Sequence, residues 1–280
     1  MDIELARTFI DIVRSGSLVA TAERMHLTQT AVTARVKNLE AQFGCQLFIR
    51  NRAGASLTPE GQRFVDYATQ LIQVWDKAKF DLSLPEENTD SLTIGGEIAL
   101  WNPLLLNWVS YLQNFHGDMA ITVETGEAAS LINRINNGVV DIAVVYRPEY
   151  MPGLKIELLL EEKLIMVRTP ASAVPYVYID WGPTFRKQHD AALPGKARTS
   201  LSMDFGLLAL QYLLRHQGSG YFRARVVESY IEEGRLERVT HAPEFTYPIY
   251  AICRDNDNSD TTQAALKSLR ETAVKGIVWS

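Results

Sequence analysis

Threonine, glutamine and basic side chains are concentrated in one short stretch, where they are suited to reading DNA. They are Thr28, Gln29, Thr30, Thr33, Arg35 and Lys37. Glutamine can form two hydrogen bonds to adenine, and threonine offers a hydroxyl group together with a methyl group that contacts thymine. Arg35 and Lys37 lie further along, where they are placed for phosphate or guanine. We predict that these side chains bind DNA; the alternative for each is an ordinary solvated helix surface.

A second group of basic residues follows at the tip of a predicted hairpin. Two short apolar runs, 47–49 and 55–57, bracket a segment that contains Arg50 and Arg52. Arginines at such a tip are suited to phosphate or to the minor groove. Residues 24–63 carry an excess of four positive charges, although the whole chain has a net charge of −5. A DNA-binding module joined to another domain is expected to show this asymmetry; chance clustering on a solvated face is the alternative.

Three short helices are predicted to position these side chains. Apolar residues recur at helical spacing over 4–15, a second helix is expected over 18–25, and Thr28 caps a third that runs to about Phe43. A tight turn separates the second helix from the third. Three helices followed by a basic hairpin form an all-α winged helix-turn-helix domain, which we place at residues 1–58.

The residues of this region resemble the N-terminal signature of the LysR-type transcriptional regulators. The matching segments are Ala22-Glu23-Arg24, Leu27-Thr28-Gln29, Ala31-Val32-Thr33, Leu39-Glu40, Phe43-Gly44, Leu47-Phe48-Ile49-Arg50 and Leu57-Thr58-Pro59-Glu60-Gly61. The resemblance implies base contacts from Gln29, Thr30 and Thr33. Three later features are similar to the HdfR-like branch of the family: Leu100-Trp101, Asp180-Trp181-Gly182-Pro183 with Phe185, and Pro248 with Tyr250-Ala251-Ile252.

A long linker helix, followed by a hinge, is predicted over residues 59–89. Thr58 and Pro59 form a strong helix start. Apolar residues then alternate at spacings of four and three, which is typical of a coiled-coil seam. They are Phe64, Ala68, Leu71, Trp75, Ala78 and Leu82. The seam predicts a homodimer, and packing against the chain's own domain is the alternative. The family resemblance adds that such dimers commonly pair into homotetramers.

Residues 90–280 are predicted to form an α/β domain with two lobes. Strand and helix patterns alternate from Leu92 to Tyr146, which indicates one βαβαβ unit, and a second, less regular unit spans roughly 176–239. Lobe one is placed at about 90–163 and 247–280, and lobe two at about 164–246. The resemblance implies an effector-binding domain, two-lobed like periplasmic binding proteins, with a small molecule held between the lobes.

Effector-binding residues are predicted where strands end and helices begin, since ligands of such sheets lie there. They are Ile98, Ala99, Leu100, Trp101, Glu124, Thr125, Tyr146, Trp181, Ser202, Ser219, Tyr221 and Phe245. Three acids near the mouth, Glu97, Glu124 and Glu127, count against a strongly anionic effector. The hydroxyl groups of Ser202 and Ser219 could nevertheless hold a carboxylate. For each aromatic residue, ordinary core packing is the alternative.

Enzyme chemistry is not expected from this sequence. The five histidines fall at no metal-ligand spacing, and the chain has no phosphate-binding loop and no nucleophile elbow. We therefore predict no metal, no cofactor and no catalytic residue. Cys45 and Cys253 match no disulfide framework. The acidic N-terminus does not resemble a signal peptide, and no run approaches the ~20 apolar residues of a membrane span. A cytoplasmic protein without a membrane partner is expected.

The sequence therefore predicts a transcriptional regulator that binds double-stranded DNA and responds to an unidentified small-molecule effector. Its other expected partners are further copies of itself, in a homodimer or homotetramer, with RNA polymerase as a further candidate. The main alternative is a constitutive DNA-binding repressor or architectural protein whose C-terminal domain serves only oligomerisation. A transport-type ligand-binding protein is the other alternative, and it would leave residues 1–84 unexplained.

Overall fold

The chain divides into two compact units. A computed structural model describes residues 2–51, 54–84, 90–115, 119–171, 174–196, 200–257 and 259–274. One unit comprises Met1–Glu86 with Asn137–Val139, and the other comprises Glu87–Asn136 with Val140–Ser280. The first is mainly helical, and the second is a mixed sheet with helices packed on it.

Three helices form the core of the first unit. They are α1 (Ile3–Ser15), α2 (Leu18–Arg24) and α3 (Gln29–Phe43), as the periodicity predicts. Side-chain oxygens of Asp2, Ser17 and Thr28 accept hydrogen bonds from the first turns of these helices. The capping residues therefore define where each helix begins. Apolar side chains of the three helices are buried together, namely Leu5, Phe9, Ile12, Ala22, Val32, Val36 and Leu39.

A two-stranded antiparallel wing follows α3. Its strands are β1 (Phe48–Asn51) and β2 (Gly54–Leu57). Glu40 Oε1, on α3, accepts hydrogen bonds from the backbone N–H groups of Leu47 and Phe48 at 2.9 and 3.2 Å. These bonds fix the base of the wing to α3. Two residues of the predicted basic tip, 52 and 53, lie outside the described residues.

The linker helix α4 (Pro59–Ser83) begins at the predicted residues. Thr58 Oγ1 accepts a hydrogen bond from the backbone N–H of Gly61 at 2.9 Å, and Pro59 occupies the first turn. Proline is well suited to this position because its missing N–H would have no partner there.

The predicted seam of α4 is divided between two environments, which corrects the expectation for its first two positions. Phe64 and Ala68 are buried in the core of the first unit, and the ring centroid of Phe64 lies 4.9 Å from that of Phe9. The first part of α4 packs against α1, so these residues stabilise the domain rather than a dimer. The remaining positions are exposed: Leu71, Trp75, Ala78 and Leu82.

One mixed sheet organises the second unit. Its strands are β3 (Asp90–Gly96), β4 (Met119–Thr125), β5 (Ile142–Val145), β6 (Leu154–Arg168), β9 (Ser219–Arg223), β10 (Glu237–Arg238) and β11 (Phe245–Arg254). The order is β10-β6-β11-β5-β3-β4, with β9 also paired to β6. The parallel pairing of β3 with β4 and β5 gives the predicted βαβαβ unit. A separate short pair joins β7 (Tyr178–Ile179) to β8 (Ser202–Met203).

The helices of the second unit cover this sheet. They are α5 (Ile98–Leu100), α6 (Leu106–Phe115), α7 (Ala128–Asn136), α8 (Pro183–Ala192), α9 (Gly206–His216), α10 (Ala224–Glu232) and α11 (Asp260–Val274), with a π-type turn at Trp101–Leu105 before α6. Among the described residues, none of the helices has the length and apolar character that crossing a membrane requires.

Two large apolar cores give the second unit its two lobes. One core surrounds Trp108, and the other surrounds Tyr221. The long antiparallel strands β6 and β11 pass from one core to the other: on β11, Phe245 is buried in the second core and Ile249 in the first. The predicted fold class, an α/β two-lobed domain behind a winged helix-turn-helix, is confirmed. The lobes share these crossing strands.

Candidate functional site

The N-terminal part of α3 presents a polar face to solvent. Four of the predicted DNA-binding residues are exposed: Thr28, Gln29, Thr30 and Lys37. Thr33 is half-buried. Val32 and Val36, on the other side of the helix, are buried and hold α3 in the three-helix core. The alternation of buried valines with exposed polar residues therefore determines which face of α3 remains available for a partner.

Arg35 differs from these residues because its guanidinium group is bonded within the unit. Its Nη1 donates a hydrogen bond to Thr8 Oγ1 at 3.0 Å and lies 3.5 Å from Glu4 Oε2. Both partners are on α1, so Arg35 ties α3 to α1. The side chain is 28% exposed. Any contact with a DNA phosphate would therefore compete with the bonds to α1.

The wing arginines stay predictions from the sequence. Arg50 lies in β1, but its side chain is not among those described, and Arg52 lies outside the described residues.

A cavity of about 500 Å³ lies between the two cores of the second unit. Its walls come from the ends of β3, β4 and β5, from the segments that follow β7 and β8, and from β11. This volume is within the range of small-molecule sites. Five predicted effector-binding residues line it: Ile98, Ala99, Thr125, Tyr146 and Trp181.

Seven predicted effector-binding residues do not line this cavity. They are Leu100, Trp101, Glu124, Ser202, Ser219, Tyr221 and Phe245. Leu100 is fully buried in the core around Trp108. Tyr221 and Phe245 pack against each other in the other core, with ring centroids 5.0 Å apart. For the apolar members, core packing therefore replaces the predicted ligand contact.

The polar members of this group are also engaged or placed elsewhere. Trp101 Nε1 and Ser219 Oγ donate hydrogen bonds to backbone carbonyl groups at 3.2 and 3.3 Å. Glu124 forms an ion pair with Arg134. Ser202 is exposed in β8, away from the cavity lining. The predicted carboxylate contact of Ser202 and Ser219 is therefore corrected, because neither hydroxyl reaches the cavity.

Several cavity residues are absent from the predicted set. Arg147 directly follows the predicted Tyr146, and Tyr247 lies two residues after the predicted Phe245. Asp180 and Asp204 directly follow β7 and β8. These two strands are only two residues long, so their alternation is too short to be recognised. Phe205 precedes α9 without a motif that would have identified it.

Two of the acidic groups around the cavity accept backbone hydrogen bonds. Glu97 Oε2 accepts the N–H of Tyr146 at 2.6 Å. Burial raises the pKa of the Glu97 carboxyl group above its usual value, although the bond to Tyr146 and the charge of Arg147 act in the opposite direction. Asp180 accepts the N–H of Gly182 at 2.9 Å and forms an ion pair with Arg186. In the described part of the chain, no group of three His, Cys, Asp or Glu side chains is arranged to hold a metal ion.

Arg147 contributes a cation to the same cavity. Its Nη2 is buried and has no hydrogen-bond partner among the described residues. The guanidinium group lies against Gly182, where an added Cβ would fall 3.1 Å from Nη2. Gly182 also has a φ of 95°, a conformation that favours glycine. A glycine at this position therefore leaves room for the guanidinium group.

Three aromatic residues form a wall of the cavity. The ring centroids of Tyr146 and Tyr247 are 4.3 Å apart, and those of Tyr247 and Trp181 are 6.0 Å apart. Burial raises the pKa of Tyr247 to about 12, so its hydroxyl group stays protonated and donates to the backbone carbonyl of Trp181. Trp181 Nε1 in turn donates to the carbonyl of Tyr221 at 2.9 Å. The wall is therefore fixed by hydrogen bonds as well as by packing.

A buried ion pair joins the two lobes near this wall. Arg223 Nη1 lies 3.6 Å from Glu162 Oε2, and both side chains are 3% exposed. Arg223 Nη2 also donates to the backbone carbonyl of Asn102 at 2.8 Å. Burial raises the pKa of Glu162, and Arg223 counteracts this increase. Arg223 thus connects β9 with β6 and with the turn that precedes α6.

Two family models match the chain. One, described as a bacterial regulatory helix-turn-helix protein of the lysR family, matches residues 3–62, and the other, the LysR substrate binding domain, matches residues 85–274. The first contains the three helices and the wing, and the second contains the cavity.

A curated relative and solved structures agree with these matches. The HTH-type transcriptional regulator HdfR of Yersinia pestis (strain Pestoides F) is 28% identical over 298 residues, which cover 100% of this chain and 99% of the relative. The crystal structure of CbnR, a LysR family transcriptional regulator, has a TM-score of 0.74 at 15% identity and covers 98% of this chain and 99% of its own. Vibrio fischeri DarR in complex with DNA has a TM-score of 0.61 at 16% identity, and the match covers 96% of this chain and 98% of DarR.

The matches confirm the family resemblance and the similarity to HdfR. They also confirm the prediction that the protein is not an enzyme, because the family consists of transcriptional regulators. The chain belongs to the LysR family and is a DNA-binding transcriptional regulator with a C-terminal substrate-binding domain.

Proposed function

We propose that α3 reads the base pairs of double-stranded DNA through Gln29, Thr30 and Thr33. The observation that carries this proposal is the exposure of Gln29 and Thr30 at the beginning of a helix whose other side is buried. Helix-turn-helix proteins place the first residues of this helix in the major groove. Glutamine at the first helical position then recognises adenine, and the threonines contact neighbouring bases.

Other residues of the same unit position the protein on the DNA backbone. Lys37 is exposed on α3, and Arg50 and Arg52 belong to the wing segment. Their positive charges bind phosphate groups, which gives affinity without sequence preference. Thr28 orients the helix, because its hydroxyl group accepts the N–H of Ala31 at 3.1 Å. Arg35 supports α3 from α1 and contributes less to DNA binding than Lys37.

The exposed part of the α4 seam joins two copies of the protein. Trp75 is 48% exposed and Leu82 is 89% exposed. Apolar side chains at this spacing are stabilised when a second helix covers them. A two-fold dimer presents two copies of α3 to a two-fold-related DNA site. Pairing of two such dimers into a tetramer follows the family resemblance.

The cavity of the second unit holds the small-molecule effector. A ligand that contacts both lobes favours one lobe arrangement over others, and the buried Arg223 links the lobes at this point. The change in lobe arrangement then alters promoter occupancy through the oligomer. Residues 1–58, 59–89 and 90–280 serve as the DNA-binding domain, the linker with its hinge and the regulatory domain. A cytoplasmic location and a contact with RNA polymerase complete the proposal.

Selection of genomic DNA fragments tests this function against the constitutive alternative. The purified full chain is incubated with fragmented genomic DNA at near-physiological salt, with and without a pool of metabolites, and the bound fragments are sequenced. Enrichment of a two-fold-related sequence whose occupancy depends on the pool is expected. Enrichment that no metabolite changes would favour a constitutive repressor. The absence of enrichment in both conditions would contradict the DNA-reading role of α3.

A further inference from the structure

The charges that line the cavity are not balanced. Five ionisable side chains besides the tyrosines line it: Glu97, Glu127, Arg147, Asp180 and Asp204. Asp180 is neutralised by Arg186. No described cation lies within ion-pairing distance of Glu97, Glu127 or Asp204. Among the described residues, the cavity therefore presents one arginine and three carboxylates that have no ion-pair partner.

The environment of Glu97 shows that the missing cation matters. Its carboxylate is half-buried, and its one hydrogen bond in the described structure comes from the N–H of Tyr146 at 2.6 Å. Removing a carboxylate from water costs free energy unless a cation or further hydrogen bonds stabilise the charge. The neighbouring Glu127 adds repulsion. The charge of Arg147 offsets part of this cost, and a ligand ammonium group between Glu97 and Glu127 would supply further stabilisation.

Arg147 points to a second, anionic group on the same ligand. Its Nη2 is buried without a hydrogen-bond partner in the described structure, and buried donors in proteins are nearly always paired. A carboxylate is the acceptor that matches a guanidinium group best. The hydroxyl group of Tyr146 is also unpaired, and this side chain is only 6% exposed. Both donors belong to residues that line the cavity, and neither atom is exposed to solvent in this structure.

The aromatic wall is suited to the same kind of ligand. Tyr146, Tyr247 and Trp181 line the cavity beside the acids. Their ring faces attract cations. The same rings can pack against the methylene groups of a ligand's aliphatic chain. An aliphatic chain with a cation at its end would contact this wall along its length.

We infer that the effector of this regulator is a basic amino acid, with its carboxylate bound by Arg147 and its cationic groups bound by Glu97, Glu127 and Asp204. The ligand's one negative and two positive charges complement the three free carboxylates and one arginine of the cavity. The inference rests on the proposed role of the cavity as the effector site. Neutral amino acids fit it less well because they lack the second cation, and dicarboxylates are repelled by the acids.

Calorimetric titration of the full chain with six related compounds tests this inference. The first probes are L-lysine, L-ornithine and L-arginine. Cadaverine lacks the carboxylate, L-norleucine lacks the side-chain cation, and L-glutamate reverses the side-chain charge. At least one basic amino acid is expected to bind, and at least tenfold more tightly than its analogue that lacks either charged group. No binding by any of the three, or equal binding of norleucine or glutamate, would overturn the inference.

Substitutions locate the binding site. Arg147→Gln and Glu127→Gln are expected to weaken binding of the basic amino acid at least tenfold. Arg147→Lys should weaken it less than Arg147→Gln, because the charge is retained while the planar fork is lost. Arg215→Gln and Glu228→Gln, at exposed positions on α9 and α10 outside the cavity lining, are the matched controls. Equal effects of the cavity and control substitutions would place the ligand elsewhere.

The same samples distinguish a failure of this inference from a failure of the proposed function. Binding of the selected DNA is measured for the wild-type protein with each compound. DNA binding that responds to the metabolite pool, but to none of the three basic amino acids, would overturn the ligand assignment and leave the regulator intact. A basic amino acid that binds without any effect on DNA binding would confirm the site and contradict its regulatory role.

Discussion

The exposed polar face of α3 and the cavity of the second unit hold their polar groups in opposite ways. On α3, Gln29 and Thr30 are exposed, and no hydrogen bond in the described part of the chain occupies their side chains. In the cavity, Glu97 and Asp180 accept backbone hydrogen bonds, and Tyr247 donates to a carbonyl group. One surface is open and hydrated, whereas the other is fixed by its surroundings.

This difference follows from the size of the two partners. DNA makes many contacts and approaches from outside, so a binding surface can keep its side chains in water until the complex forms. A small ligand makes few contacts, and each must be placed in advance to give affinity. Substitutions at the exposed positions of α3 should therefore change DNA binding with little effect on folding. Substitutions around the cavity should affect both ligand binding and the stability of the second unit.

The largest expected effect comes from α4, where a buried residue should affect folding and an exposed residue should affect assembly. Phe64→Ala should lower the free energy of unfolding of the first unit by about 3–5 kcal/mol, because Phe64 is packed against Phe9 in the core. Trp75→Glu should instead leave unfolding nearly unchanged and reduce the assembly state, because Trp75 is 48% exposed. Urea unfolding and light scattering measure the two effects. An unchanged mass for Trp75→Glu would refute the seam as a dimer contact.

The next effect tests the DNA-reading face itself. Gln29→Ala should weaken binding to the selected DNA site by about 1–3 kcal/mol and relax the preference at one base pair, since a bidentate contact to adenine is lost. Gln62→Ala, at an exposed position on α4, is the matched control. Fluorescence anisotropy with the site and with single-base variants measures both quantities. The same affinity and sequence preference in Gln29→Ala and wild type would remove Gln29 from the interface.

A third substitution tests how firmly the cavity wall is fixed. Gly206→Ala would place a methyl group 2.4 Å from Trp181 Cη2, and this overpacking should cost about 1–3 kcal/mol of stability. Gly195→Ala adds a methyl group with no atom within 4 Å and should be nearly neutral. Thermal unfolding of the two variants measures the difference. If Gly206→Ala were as stable as Gly195→Ala, the wall would be more adaptable than the hydrogen bonds of Trp181 indicate.

The smallest effect compares two basic residues of α3. Lys37→Gln should weaken DNA binding equally at all sequences and lower the slope of affinity against salt by about one charge. Arg35→Gln should change this slope less, because its guanidinium group is bonded to Thr8 at 3.0 Å. It should also cost about 0.5–1.5 kcal/mol of stability through the lost hydrogen bond. Salt titrations of DNA binding compare the two variants. A larger slope change for Arg35→Gln would mean that Arg35, rather than Lys37, is the main phosphate contact.

Local patterns predicted the first unit well because its helices are determined by nearby residues. Capping residues such as Ser17 and Thr28, with periodic apolar residues between them, define all three helices. The seam of α4 was the exception. Phe64 and Trp75 follow the same spacing, but Phe64 packs on α1 and Trp75 is exposed. Spacing identifies an apolar face, and it cannot identify which partner covers that face.

The cavity was predicted only in part because its lining depends on long-range packing. The ends of β3, β4 and β5 follow from the sequence pattern, and Ile98, Thr125 and Tyr146, which are predicted there, line the cavity. Tyr221 is predicted by the same criterion, but it lies in the middle of β9 and its side chain is buried in the core. Asp204 was missed because a strand of two residues gives no alternation. Arg147 became informative only when its unpaired Nη2 was seen in the structure.

The most direct test of the account is a side-by-side selection of genomic DNA by the wild-type protein and by Gln29→Ala. The wild-type protein is expected to enrich fragments that share a two-fold-related sequence at near-physiological salt. The variant should enrich that sequence less strongly and lose the preference at the base pair that Gln29 reads, while it retains salt-dependent binding to DNA of any sequence. Identical enriched sequences for both proteins would contradict the claim that the exposed start of α3 reads the DNA.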